Sequence, residues 1–378
     1  MNSLLRLLAG VVFAQSDPGA RIQEARALYH QAERLDSAGR LTEARETILL
    51  ALERLKGAEE IDAALHGTLW LHRATLENNL GNYAGAEASY RRTLAIFETG
   101  KVQPEALVPA LRGLGATLIN LTRTLDAELV LQRAQAIAEK HLPPAHPQAA
   151  SVLDALGLLY SNAGDLKRAE RFTRRALEIL EASLGARHPD VAAELTSLAR
   201  LLTAQGHPGE ALILLDRGIA IFDASRGAGH PDTIRAIYLR GLAQTRTEPA
   251  AAEQSFRDAL NRWRASQPGG HPFAAQALSA LARVREMRGD AKEALAFNEE
   301  ALRIANAALG PEHLLVAQIL LDRASMLKTA KRRKESSQAA KQAEAIRNAH
   351  GPQSLDRHKV DVWTLRTRLS TAKETTTP

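Results

Sequence analysis

Residues 184–222 read LGARHPDVAAELTSLARLLTAQGHPGEALILLDRGIAIF, and this stretch decides the fold. After His188 and a proline, apolar residues recur at the spacing of one α-helical face, at Leu195, Leu198 and Leu202. A polar turn around Gly206 separates them from a second run with the same period. The stretch therefore predicts two α-helices joined by a tight turn.

The same pattern recurs along the chain with a period of 41 or 42 residues. The phase is marked by His146, His188, His230, His271 and His313, at steps of 42, 42, 41 and 42 residues. A fixed period of this length is the signature of a repeat architecture. We therefore predict eight helix pairs, at about 21–57, 62–99, 104–141, 147–184, 189–226, 231–267, 272–309 and 313–350. The sixth pair is one residue short, and Pro249 is expected to open its second helix.

Small residues occupy the positions where the two helices of a pair should meet. In the fourth pair these residues are Gly157, Ala169 and Ala176, and a bulky side chain there would separate the helices beyond the usual 8–10 Å. Units end on a glycine such as Gly185 or Gly227, which suits a left-handed helix cap. Proline then opens the next helix, where its missing N–H needs no partner.

The stretch resembles a tetratricopeptide repeat of the 42-residue kind found in kinesin light chains and in many bacterial proteins. The resemblance covers about residues 21–350 and implies an all-α, right-handed superhelix whose first helices line a concave, peptide-binding groove. One feature of kinesin light chains is missing, the paired Asn residues of the first helix. Their places hold Asp154-Ala155, Thr196-Ser197 and Ser279-Ala280, which argues against kinesin-type cargo recognition.

The two ends of the chain depart from the repeat. Residues 1–14, MNSLLRLLAGVVFA, resemble a secretory signal peptide, which predicts export to the periplasm or beyond; a plain N-terminal helix in a cytoplasmic protein is the alternative. Residues 355–369, with Val360, Trp363 and Leu369 on one side, predict a helix that caps the last pair. Residues 370–378 are expected to form a disordered tail.

Composition and motifs point away from catalysis. The chain has no cysteine, which excludes disulfides, thiolate metal sites and cysteine nucleophiles, and it lacks HExxH, GxSxG and GxxxxGK[ST]. The regularly spaced histidines lie a whole repeat apart, too far to share one ion with ~2 Å ligand bonds, so we interpret them as turn caps. The sequence predicts no enzyme, no cofactor and no metal site.

The groove is where a partner should bind. In tetratricopeptide repeats the fifth and ninth residues of the first helix point into it, and in the first two pairs these are Tyr29, Glu33, Leu71 and Thr75. The proposed binding residues share this face and are Arg112, Arg200, Arg235, Tyr238, Leu242, Arg283 and Lys328. The last four basic residues form a trail with Tyr238 and Leu242 as apolar contacts, which favours an acidic, partly apolar peptide. A solvated face of mixed charge is the alternative.

Net charge agrees with that preference. The chain has 49 basic and 43 acidic residues, a net charge of +6, and residues 190–378 carry the whole excess. The run Lys331-Arg332-Arg333-Lys334 is interpreted as a solvated turn, with an anionic membrane or nucleic acid as the alternative ligand. With only 15 aromatic residues, nucleic acid is not an expected partner.

We therefore predict a non-enzymatic scaffold or adaptor that holds a partner's segment in the groove. Two alternatives stay open: a regulatory or sensor subunit that acts through a separate effector, and a phosphatase or signalling-peptide receptor of the same repeat type. Known proteins of the latter kind place their activity in a dedicated N-terminal bundle. Here the repeat begins near residue 21, which makes that alternative the weaker one.

Overall fold

The computed structural model describes residues 17–100, 102–266 and 272–350, and all regular structure in these ranges is helical. One short 3₁₀-helix spans Pro104–Ala106. Helices α1 to α16 span Pro18–Ser37, Leu41–Leu55, Ala63–Asn79, Tyr83–Thr99, Leu107–Asn120, Thr124–His141, Pro147–Asn162, Leu166–Leu184, Pro189–Gln205, Pro208–Arg226, Pro231–Gln244, Pro249–Ser266, Pro272–Met287, Ala291–Leu309, Leu314–Thr329 and Arg333–Ala349. The predicted all-α fold of consecutive helix pairs is confirmed.

The helices belong to two compact units, and the boundary falls within α7, between Leu159 and Tyr160. In the first unit α1/α2, α3/α4 and α5/α6 pack as hairpins, and each hairpin packs on the next. In the second unit α9/α10, α11/α12, α13/α14 and α15/α16 do the same, and α8 packs on α9. Consecutive first helices also touch, α1 with α3, α3 with α5, α9 with α11 and α13 with α15. We call the surface formed by these first helices the first-helix face of each unit.

Alanine makes the close approach of the paired helices possible. The predicted contact residues Ala169 and Ala176 are completely buried. So are their equivalents in other pairs, Ala44, Ala51, Ala86, Ala127, Ala134, Ala211, Ala252, Ala259, Ala294 and Ala301. A methyl group fills the space between two helix axes without forcing them apart, which explains why the second helices carry small residues at this spacing.

The regularly spaced histidines cap the helices that follow them. The Nδ1 atoms of His146, His188 and His230 each accept a hydrogen bond at 3.2 Å from the backbone N–H two residues later. His313 accepts the same bond from Leu315 at 3.1 Å. This bond satisfies an N–H group that the first helical turn leaves without a partner. His271 lies outside the described residues.

The glycines that end the pairs differ from the expected left-handed caps. Gly185, Gly227 and Gly310 have φ between 84° and 88°, but their ψ angles lie between 153° and 161°. This extended, positive-φ region is open essentially to glycine alone, whereas the left-handed helical region also admits Asn. At these glycines the chain therefore leaves the second helix of the pair in an extended conformation. Among the described pairs the left-handed cap occurs inside a pair, at Gly206 with φ 88° and ψ 23°.

Several expectations fall on residues that the structure leaves undescribed. They are the signal peptide at 1–14, the capping helix at 355–369 and the tail at 370–378. The last described helix, α16, buries only Ala339 and Ala343 and is otherwise largely polar and exposed. Within the described ranges, no helix combines the length and apolarity needed to cross a membrane.

Candidate functional site

Polar contacts between neighbouring repeats run across the first-helix face of each unit. In the first unit His72 Nε2 donates to Asp36 at 3.1 Å, and Thr117 donates to Asn78 at 3.1 Å. In the second unit Glu286 accepts hydrogen bonds from the next first helix, from Ser325 at 3.0 Å and from Thr329 at 3.2 Å. Because these contacts join residues about one repeat apart, polar side chains link neighbouring first helices at these junctions.

The predicted basic trail lies on the first-helix face of the second unit. Arg235 on α11 is half-buried and Lys328 on α15 is exposed, and neither has a carboxylate within 4.0 Å among the described residues. Arg200 on α9 donates to Ser161 at 3.4 Å. Arg283 on α13 is different, since its Nη1 lies 4.0 Å from a carboxylate oxygen of Asp322.

Asp322 is the acidic group that the sequence analysis missed. Its side chain is only 10% exposed, and it accepts hydrogen bonds from Ser279 at 2.8 Å and from Gln318 at 3.1 Å. These bonds hold the carboxylate beside Arg283 and offset part of that cation's charge. The one available signal was its position directly after Leu321, which occupies the same place in its repeat as Tyr29 and Leu71 in theirs. Arg283 is thus the trail residue that lies beside a carboxylate, whereas Arg235 and Lys328 have none within 4.0 Å among the described residues.

The two predicted apolar contacts are not equally available to a ligand. Tyr238 is only 5% exposed, because its ring packs between Phe256 and Phe273 with centroid distances of 5.3 Å and 5.7 Å. Tyr238 is thus a core residue and not the surface anchor that the sequence predicted. Leu242 is half-buried against the core cluster that contains Leu198. The trail is consequently more polar than expected.

Arg112, the predicted binding residue of the first unit, is exposed on α5. No described carboxylate lies within ion-pair distance of it. Its guanidinium lies near Tyr90, whose pKa is raised by burial and partly lowered again by Thr75 and by Arg112. Arg112 is therefore a third cation on a first-helix face without a carboxylate partner.

Arginines on the second helices are mostly held in ion pairs. Arg174 pairs with Glu170 at 2.7 Å, and Arg217 pairs with Glu181 at 2.6 Å. Arg262 reaches both Asp258 at 2.9 Å and Asp223 at 3.0 Å, and these bonds raise its pKa against the opposing effect of burial. Arg112 and Arg235 differ from these arginines, since neither has a carboxylate within ion-pair distance among the described residues.

In the basic run at 331–334, Lys331 and Arg332 lie in the turn between α15 and α16, and Arg333 and Lys334 begin α16. The residues of the run are exposed, and Arg332 pairs with Glu335 at 2.6 Å. Lys331 takes a positive φ of 61° at the place where other pairs have glycine. The run is therefore a solvated turn that leads into the exposed first residues of α16.

A cleft of about 320 Å³ opens on the first-helix face of the first unit, between α1 and α3. It is lined by Tyr29, Glu33, Asp36, Ser37, Thr68, Leu71, His72 and Thr75. Four of these residues were predicted to face the groove, whereas His72 and Asp36 were not recognised. The rings of Tyr29 and His72 pack edge to face, with their centroids 5.6 Å apart.

Two groups in the cleft have shifted pKa values. Burial, followed by a hydrogen bond to Glu33, raises the pKa of Tyr29 to about 12. A hydrogen bond from His30 lowers the pKa of Glu33, and the Tyr29 hydroxyl adds to that effect. At neutral pH the cleft therefore presents an ionised Glu33 held by a protonated phenol.

Within the described residues, no three His, Asp or Glu side chains are grouped so that they could hold a metal ion. The constellation in the cleft is therefore one of hydrogen-bonding groups, aromatic rings and carboxylates. It is suited to binding a polar ligand by hydrogen bonds and charge.

Comparisons with known proteins agree with this architecture. The sequence model of the tetratricopeptide repeat family matches residues 106–182, 148–224 and 273–349, which together make up more than half of the chain. Among solved structures, BtubC (BKLC) from P. vanneervenii is 19% identical, with 61% of this chain and 91% of that chain covered and a TM-score of 0.51.

Two Rap structures are similar over a longer stretch. A Rap protein complexed with competence and sporulation factor is 13% identical, with 87% and 98% of the two chains covered and a TM-score of 0.55. The apo form of RapI is 16% identical, with 86% and 98% covered and a TM-score of 0.54. At such identities the likeness concerns the fold alone. No curated protein matches the chain.

Proposed function

Because the chain belongs to the tetratricopeptide repeat family, we propose that it is a non-enzymatic interaction scaffold that binds a segment of a partner protein on its first-helix faces. The observation that carries this proposal is the placement of unpaired cations. Arg235 and Lys328 have no carboxylate partner among the described residues, whereas the arginines of the second helices are mostly paired. A ligand can therefore bind these cations without breaking an ion pair within the protein.

The chemistry of this face favours a partner segment that carries carboxylates. A guanidinium such as that of Arg235 can form two parallel hydrogen bonds with one carboxylate. A hydrogen bond to a charged group contributes about 1.5–3 kcal/mol when water is excluded. Asp322 already offsets part of the charge of Arg283. We therefore expect Arg235 and Lys328 to contribute most of the preference for an acidic segment.

The regulatory alternative uses the same surface. A sensor subunit would bind its ligand on the first-helix face and pass the signal to an effector enzyme on another chain. The identity of the captured partner separates an adaptor from such a subunit.

A cross-linking pull-down with the full chain as bait tests the proposal. The test variant is Arg235→Glu/Lys328→Glu. The control variant is Lys167→Glu/Lys292→Glu, which makes the same change of net charge at exposed positions on the second helices α8 and α14. Envelope and cytoplasmic extracts of the source cell are used separately, so that the fraction that yields a partner also reports the compartment.

We expect the parent and the control variant to capture the same partner and the test variant to lose it. A partner retained by all three proteins would place the contact away from these two cations. If no protein is captured specifically from either extract, the scaffold proposal is contradicted.

A further inference from the structure

The cleft between α1 and α3 presents hydrogen-bond acceptors to its interior, because its donors are already engaged. The hydroxyls of Ser37, Thr68 and Thr75 each donate to a backbone carbonyl of their own helix, at 2.8, 2.8 and 3.1 Å. A hydroxyl that donates its proton in this way keeps its lone pairs for another partner. Ser37 and Thr68 therefore offer acceptors to the cleft, whereas the Thr75 hydroxyl also contacts the Tyr90 hydroxyl at 3.4 Å.

The remaining donors are directed at the two carboxylates. A carboxylate accepts hydrogen bonds only, so the contact of His30 Nδ1 with Glu33 at 2.9 Å and that of His72 Nε2 with Asp36 at 3.1 Å make both imidazoles donors. The Tyr29 hydroxyl also bonds Glu33. Each carboxylate has about four lone-pair sites, so both retain acceptor capacity after these bonds are made.

The one basic side chain in the cleft lining is the imidazole of His72, which is held by Asp36 at 3.1 Å. None of the cleft's eight lining residues is Lys or Arg, although the chain has 49 such residues. Glu33 and Asp36 lie three residues apart, on one face of α1. Beside them, Leu71 and the edge-to-face rings of Tyr29 and His72 supply the apolar part of the lining.

A ligand that complements this site must bring several donors, no acceptor and a positive charge. An ammonium group has three donors and a guanidinium has five, and neither accepts a hydrogen bond. The aliphatic stem of a lysine or arginine can cover Leu71, and its cationic head can lie against the aromatic rings. A neutral group would not use the remaining acceptor capacity of the two carboxylates as fully, and an acidic group would be repelled by their charge.

We propose that this cleft binds a cationic group of the partner segment, either a lysine or arginine side chain or a free amino terminus. The proposal rests on the function proposed above, since it assumes that the segment lies along a first-helix face. It assigns a basic residue to the part of the segment that contacts the first unit.

Peptide selection on the full chain tests the inference. A phage library of random dodecapeptides is panned on the parent chain, on Glu33→Gln/Asp36→Asn and on Glu46→Gln/Glu139→Gln. The last variant loses the same two charges from the second helices α2 and α6. Both carboxylates of the cleft are partly exposed, at 46% and 31%, so their replacement by isosteric amides should leave the fold intact, which circular dichroism checks.

We expect Lys and Arg to be enriched in the peptides selected by the parent and by the control variant. Enrichment should be lost on Glu33→Gln/Asp36→Asn. Synthetic forms of a selected peptide, measured by fluorescence anisotropy, should bind that variant about tenfold more weakly, the change that one charge-assisted hydrogen bond produces. Ser37→Lys, which brings an ammonium of the chain's own to the rim, should weaken binding as well.

Two forms of the synthetic peptide identify the source of the cation. Acetylation of the amino terminus should abolish binding if the terminal amine is the ligand. Replacement of Lys by norleucine, or of Arg by citrulline, should do so if a side chain is the ligand. Either result supports the proposal.

Peptides enriched without basic residues would overturn this inference, as would basic peptides that bind Glu33→Gln/Asp36→Asn as tightly as the parent. Both results leave the proposed scaffold function intact, because peptides still bind. If no peptide is enriched on any of the three proteins, the proposed function is contradicted together with this inference.

Discussion

The carboxylate of Glu253, a residue only 2% exposed, accepts a hydrogen bond at 2.5 Å from Nη2 of Arg285. Arg288 reaches the other carboxylate oxygen at 2.5 Å, and Arg257 pairs with Glu253 from the next turn of the same helix, α12. Arg285 also lies 3.1 Å from Glu293. One buried carboxylate on α12 thus joins cations from two consecutive hairpins of the second unit.

Loss of that carboxylate should destabilise the second unit. In Glu253→Gln, Arg285 stays largely buried but loses its main counter-charge, and breaking a buried ion pair in this way costs about 3 kcal/mol. Glu335→Gln is the control, because the exposed Arg332–Glu335 pair should contribute less than about 1 kcal/mol. Urea unfolding followed by circular dichroism compares the two variants. Equal midpoints would show that Glu253 does not hold the hairpins together.

The histidine caps should make a measurable contribution to stability. His188→Ala removes the acceptor for the Asp190 N–H, and we expect a loss of about 1 kcal/mol, as for other N-caps. His188→Asn, which restores an acceptor, should recover most of it. His207 also precedes a helix that begins with proline, but its side chain caps nothing, so His207→Ala is the matched control. A similar loss in both alanine variants would refute the capping role.

His66 should titrate below the ordinary histidine value of about 6.5. Burial is the main cause of its lowered pKa, and its Nε2 accepts a hydrogen bond from the Trp70 indole at 3.0 Å. The fold therefore favours neutral His66. The stability that it contributes is present above pH 6.5 and is lost as the pH falls from 6.5 towards the lower, folded-state pKa.

The indole N–H resonance of Trp70, assigned through Trp70→Phe, reports this titration by NMR. We expect its chemical shift to change with a midpoint below 6.5, and the change to be absent in His66→Gln. A midpoint at or above 6.5 would mean that burial does not control this imidazole.

Gly241 allows α11 to lie close to Phe256. A Cβ at this position would come within 2.7 Å of the Phe256 ring, so Gly241→Ala should destabilise the protein by about 1–3 kcal/mol. Gly209, on α10, has nothing within 4 Å of such a Cβ, and Gly209→Ala should stabilise by up to about 1 kcal/mol. Thermal unfolding of both variants shows whether each substitution lowers or raises the melting temperature. A stabilising Gly241→Ala would show that the packing there is loose.

Much of the fold was predictable because it depends on local chemistry that recurs. Helical periodicity places Leu195, Leu198 and Leu202 on one face, and all three are buried. Pro249 opens α12 as its restricted backbone requires. The glycine prediction was correct in the sign of φ and wrong in ψ, because a sequence shows that a position needs glycine but does not show which positive-φ region the turn uses.

The candidate site was less predictable, because its properties arise between repeats. The position of Tyr238 in its helix indicated exposure, but Phe256 and Phe273 bury its ring. Asp322 neutralises part of Arg283 from the next first helix. Neither contact can be deduced from the position of a residue in its own helix, since Phe273 and Asp322 belong to the next repeat and Phe256 to the partner helix of the same pair.

The sequence by itself determined the helix pairs, their 41- or 42-residue period, the alanines between them and the proline-led helix starts, because each follows from backbone geometry within a few residues. Only the tertiary structure decided which cations keep a free charge and which donors are already engaged. Arg235 has no carboxylate partner among the residues that the structure describes, Arg283 lies beside Asp322, and His72 donates to Asp36 across 36 residues of sequence. These differences depend on distances of a few ångströms between side chains of adjacent repeats, and only packing sets such distances.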